Sequence, residues 1–138
     1  MVTSSQLQQV ADEVRRLCAD PHKGWMRNGD PDAAIAYIQA TARGETGSSC
    51  CVVGGVFLMY TTGRQWWAKQ PVLAEELMLR IEPGDLAAPL AFLERMAQLL
   101  DCAGVVLGTS ISTNDAALVR LYRRYGYVES ANALYKEV

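Results

Sequence analysis

The stretch from Asn114 to Tyr127, N-D-A-A-L-V-R-L-Y-R-R-Y-G-Y, sets a tyrosine in the middle of an apolar helical stripe. Burying Tyr122 carries a hydroxyl into the interior, and that hydroxyl needs a partner. Two roles satisfy it: a hydrogen bond to a backbone carbonyl, or a place at a site where a proton is delivered. The other reactive residues narrow the chemistry. The one histidine, His22, lies in a polar loop, so a serine or cysteine hydrolase triad has no base to draw on. The four cysteines, Cys18, Cys50, Cys51 and Cys102, form no C-x-x-C pair, and adjacent Cys50 and Cys51 point to opposite faces of a strand, so no metal site is expected. Glu75 and Glu76 are likewise neighbours on a strand, so at most one of them is expected to face any cleft.

These residues need a frame, and the length of 138 residues fits one domain, 1–138, with enough chain to bury a core. Half the residues are hydrophobic and 20% are charged, which is too apolar for disorder. Lys and Arg total 13 against 15 Asp and Glu, a net charge of −2, so no nucleic-acid partner is expected. The start M-V-T-S-S-Q-L-Q-Q has no apolar run behind a basic segment, and no apolar stretch approaches ~18 residues. No membrane partner is expected, and the reduced cysteines suit a protein of the cytoplasm.

Hydrophobic spacing orders the elements. Ser4 or Ser5 is the expected cap of a first helix carrying Leu7, Val10, Ala11, Val14, Leu17 and Cys18 on one side, stopped at Asp20-Pro21. Asp30-Pro31 opens a second helix to about Arg43, with Ala34, Tyr37, Ile38 and Thr41 inward. The run Cys50 to Thr62 has strand chemistry, split by a hairpin turn at Gly54-Gly55 or bent there by a bulge. Leu73 to Ile81 follows as a strand with Leu73, Glu75, Leu77, Leu79 and Ile81 on one face and Glu76, Met78 and Arg80 on the other. Pro83-Gly84-Asp85 leads into a third helix with the stripe Leu90, Leu93, Met96, Ala97 and Leu100. A short strand after Gly104, V-V-L-G-T-S-I to Ile111, a fourth helix after Asn114 with Gly126 as its stop, and a last strand over residues 128–138 complete the order. The whole predicts an α/β fold, a mixed central sheet flanked by helices.

That order, with E-E-L-M-L-R-I-E-P and the Asn114–Tyr127 segment, resembles the GNAT (GCN5-related N-acetyltransferase) superfamily over roughly residues 50–138. The residues that carry the likeness are Asn114, Ala117, Leu121-Tyr122 and Gly126-Tyr127, with one more residue between Asn114 and Tyr122 than the family pattern has. The W-W, E-E-L and L-G-T-S segments also resemble short GNAT-type proteins of phages and prophages, which extends the expected location to a host cytoplasm or a virion. The resemblance implies an N-acetyltransferase that uses acetyl-CoA and an amine acceptor. Acetyl-CoA would lie in a V between two splayed strands, its pantetheine pairing with backbone at Leu79 and Ile81. Its pyrophosphate would meet the backbone of Ala87 and Ala88 at the start of the third helix, with Asn114 also on the cofactor side. Tyr122 would protonate the departing thiolate, and Glu76, chosen over Glu75, would take the amine's proton.

One departure stands against this. The family's phosphate loop, [Q/R]-x-x-G-x-[G/A], aligns here with Leu86, Pro89 and Ala91, so the cationic or amide anchor and the central glycine are absent. Pro89 has no N–H to offer, and Asp85 is placed to cap the third helix with its own carboxylate. The alternative is therefore a non-enzymatic relative, a structural or interaction protein such as a phage virion component; a second copy of the chain or a virion protein is the expected macromolecular partner. Trp66-Trp67 fits an acceptor cleft, an interface or plain packing, and Arg120, Arg123 and Arg124 a solvated helix face.

Overall fold

The computed structural model describes residues 1–138. Helix α1 (Ser4–Ala19) and helix α2 (Pro31–Ala42) are joined by a 3-10 turn at Gly24–Asn28. Thr3, one residue ahead of the expected serines, caps α1: its hydroxyl accepts from the Gln6 N–H while the Gln6 side chain accepts from the Thr3 N–H. Asp30 caps α2 with Pro31 in the first turn, as expected. The inward face of α2 is Ile35, Ile38 and Thr41, whereas Tyr37 stays 43% exposed and points its hydroxyl at Ser48.

Strands β1 (Ser49–Val53) and β2 (Val56–Gly63) form a hairpin about Gly54-Gly55. Both glycines have positive φ, 57° and 76°, the conformation a two-residue turn of this twist demands. Strand β3 (Val72–Arg80) pairs antiparallel with β2, and β4 (Val105–Val106) pairs parallel with β3, giving the order β1-β2-β3-β4. Helix α3 (Ala87–Leu99) crosses from β3 to β4, and α4 (Asp115–Arg124) follows. Gly126, at φ 90°, ends that last helix as its spacing predicts.

The sheet separates two cores. Phe57, Met59 and Leu79 pack with Val10, Val14 and Leu17 of α1 and Ile35 and Ile38 of α2. Val56, Leu58, Tyr60 and Leu73 pack with Leu93 and Ala97 of α3. Leu73 and Leu79 share sequence parity yet lie in different cores, because β3 carries a bulge: Met59 pairs with Leu77 and Tyr60 with Glu75, which leaves Glu76 without a partner in β2. The expected single leucine face is thus broken in the middle.

Two elements differ in extent. β4 stops at Val106 rather than running through Ile111, and residues 128–138 form no strand. Val128 and Leu134 are exposed there, so no neighbouring apolar surface rewards their ordering into the sheet. Past the β1–β2 turn the chain crosses itself closely: a Cβ on Gly84 would lie 2.0 Å from the Gly54 carbonyl oxygen. The N–H groups of Ile81 and Glu82 both donate to the Gly55 carbonyl, which ties the end of β3 to the hairpin tip.

Candidate active site

β3 and β4 touch at only two register pairs, Leu73 with Val105 and Ala74 with Val106. β3 then runs on to Arg80 with no strand on that edge, while the other chain leaves through Leu107–Asn114 to α4. The resulting wedge is a cavity of about 510 Å³ floored by Glu75, Met78 and Tyr122, walled by Gly108–Thr113, and reached by Glu13, Arg16 and Leu17 of α1. Leu79 and Leu86 line it toward the α3 end.

The bulge decides what faces this space. Glu75 lies opposite Tyr60 on the α3 side of the sheet, and Glu76 turns to accept a 2.5 Å hydrogen bond from the Ser48 hydroxyl, itself 2.8 Å from the Tyr37 hydroxyl. Every β3 residue from Glu75 to Arg80 borders the cavity, but the Glu76 carboxylate is turned to Ser48, so Glu75 is the carboxylate beside Gly108 and Tyr122. Regular alternation fails where one strand has an extra residue.

Burial pushes the Glu75 carboxyl up to about 7, with the Gly108 backbone N–H pulling the other way and the Glu76 charge adding a smaller push upward. No cation pairs with either glutamate. Tyr122 is buried, and desolvation with the nearby Glu75 charge raises its hydroxyl, so it stays protonated through the neutral range. Its O–H has only long partners, the Gly108 carbonyl at 3.4 Å and the Met78 sulfur at 4.0 Å. The hydroxyl is thus loosely held and free to be redirected. Both roles weighed for Tyr122 therefore remain physically compatible, since it touches a carbonyl and lines the cavity as well.

The other expected site residues fall in different places. Asn114 is the cap of α4, its side chain accepting from the Ala117 N–H, and Thr113 rather than Asn114 lines the cavity. Ile81 lies past the end of β3 with its N–H on Gly55 and its carbonyl accepting from the Gln9 side chain, so its backbone is already engaged. Ala87 and Ala88 are exposed at the start of α3, but the Ala87 N–H donates to the Asp85 carboxylate at 3.0 Å. Trp66 and Trp67 lie outside the cavity, 93% and 70% exposed. Among residues that sequence reasoning left aside, Gly108 stands out because its peptide faces both Glu75 and Tyr122. Its only signal was its place in L-G-T-S.

Against known proteins, the fold is shared with solved structures described as probable or possible acetyltransferases. One, described as a probable acetyltransferase, superposes with a TM-score of 0.63 at 15% identity over 99% of this chain and 93% of its own. Another, described as a possible acetyltransferase from Clostridium difficile 630, gives 0.61 at 14% identity over 97% and 91%. The chain is thus a single-domain α/β protein whose mixed four-stranded sheet, flanked by helices, matches theirs. No protein-family model matches the sequence, and no curated protein does. No helix is long and apolar enough to cross a membrane.

Proposed function

We propose that this chain is a GNAT-type N-acetyltransferase that moves the acetyl group of acetyl-CoA to an amine. The observation that carries this is the wedge between β3 and the β4–α4 segment, with an elevated carboxyl and a protonated tyrosine at its floor. The unpaired edge of β3 beyond Ala74 offers backbone for an extended arm to pair with, although Leu79 itself pairs across to Phe57 in step with the Ile81 N–H bond to Gly55. The amine nitrogen attacks the thioester carbonyl, the new C–N bond forms and the C–S bond breaks. Glu75, poised near neutrality, takes the amine's proton, and Tyr122 gives its own to the leaving sulfur. Glu76 is anchored by Ser48 and serves instead as a second negative charge that helps keep Glu75 basic.

A second reading is favoured by one feature. The Asp85 carboxylate holds the Ala87 N–H and puts negative charge where a pyrophosphate would bind, as expected of a structural or interaction protein that kept the scaffold, a virion component included. Thermal unfolding with and without millimolar acetyl-CoA separates the two. Ligand at ~100 times Kd adds about 2.7 kcal/mol, which raises the midpoint by several degrees in a domain of this size. An unmoved midpoint selects the second reading.

A further inference from the structure

The wall of the wedge opposite β3 is not held by the sheet, since β4 ends at Val106 and Leu107–Asn114 has no strand beside it. Two consecutive residues of the α1–α2 connection hold it instead. His22 donates from Nε2 to the Ile111 carbonyl at 2.7 Å, and Lys23 donates from Nζ to the Thr109 carbonyl at 2.6 Å. The same ammonium meets both oxygens of Asp115, at 2.8 and 3.0 Å, in the first turn of the helix that bears Tyr122.

We propose that Lys23, assisted by His22, is a positioning residue that sets the width of the wedge and aims the Gly108 peptide at Glu75 and Tyr122. Deepening the transferase reading, the inference rests on it. Thr109, whose carbonyl Lys23 holds, directly follows Gly108, so a shift of one moves the other. The Gly108 N–H faces the Glu75 carboxyl and its carbonyl receives the Tyr122 hydroxyl, so both proton-handling groups are referenced to one peptide. An ammonium has three donors, matching the three oxygens around it. The Lys23 side chain is only 21% exposed, which makes this pair less screened than the other ion pairs of the molecule. The clamp also ties the segment to α1, which leads into Lys23, lines the cavity with Glu13, Arg16 and Leu17, and shares a core with Ile111.

The test uses the full chain with Lys23→Met, which keeps the stem and removes the donors, and Asp115→Asn, which weakens the same clamp from the other side. Amide hydrogen exchange should show protection lost over residues 108–114 in both variants while α1 and α3 are unchanged. Acetyl-CoA affinity by titration calorimetry should fall about tenfold or more in Lys23→Met, with Lys23→Arg recovering most of it. Unchanged exchange at 108–114 overturns the clamp. Loosened exchange with unchanged acetyl-CoA affinity overturns the positioning role and leaves a merely structural tie. If the unsubstituted chain binds no acetyl-CoA, the transferase reading fails and the positioning role with it, while the exchange data still decide whether the clamp exists.

Discussion

Replacing Glu75 by Gln tests the site through its effect on folding as well as on catalysis. The carboxyl titrates at about 7 in the folded chain against 4.5 for an ordinary glutamate, because it is desolvated without a cation beside it. Between pH 4.5 and about 7 the folded chain holds a proton on Glu75 that the unfolded chain has released, so the fold weakens as pH rises through that window and the loss is complete above it. At about 1.4 kcal/mol for each tenfold change, the full penalty is about 3 kcal/mol. Gln cannot ionise and can still accept from the Gly108 N–H. Glu75→Gln should therefore match the parent chain near pH 4.5 and exceed it by about 3 kcal/mol at pH 8.5, roughly 10 °C in midpoint for a chain of this size. The assay is thermal or urea unfolding of both proteins across pH 4.5–9. A stability difference that is flat with pH would refute the burial argument for Glu75. In turnover the same variant should lose on the order of 10²–10⁴-fold, and the parent's pH–rate profile should rise through about 7.

Further outcomes follow from neighbouring residues. Tyr122→Phe should lower turnover by ~10²-fold or more while costing under about 1 kcal/mol in unfolding free energy, because the hydroxyl's two contacts are long; a collapse of stability instead would make it a core tyrosine only. Asp85→Asn keeps an oxygen for the Ala87 N–H and removes the charge, so acetyl-CoA affinity measured calorimetrically should rise roughly tenfold. The unscreened ceiling for one charge ~6 Å away is about a hundredfold.

Much of the frame was legible because it rests on local rules. The Gly54-Gly55 turn, the Asp30-Pro31 helix start and the Gly126 stop each follow from one or two residues and their backbone preferences, and the structure has all three. Tyr122 was likewise visible as a polar atom inside an apolar stripe. The divergence of β3 from β4 was implied by the family resemblance and has its counterpart in two register pairs followed by an open edge. What period-two counting missed is the bulge. It breaks the expected leucine face between Leu73 and Leu77, and it leaves Glu76 unpaired in β2 with its carboxylate on Ser48. No residue type announces such an insertion, because the register is fixed by pairing with β2, a partner distant in sequence. The same holds for His22 and Lys23, whose partners lie more than 80 residues away. The strand expected over residues 128–138 alternates correctly, but alternation without a surface to cover does not make a strand.

The crossing of Gly84 over Gly54 has a mechanical corollary. What a methyl at either crossing would strike is main chain, 2.0 Å away at Gly84 and 2.6 Å at Gly55, so no repacking of nearby side chains can make room. Hairpin tip and helix entrance therefore lie main chain against main chain, and any side chain added at Gly55 or Gly84 must push one backbone off the other.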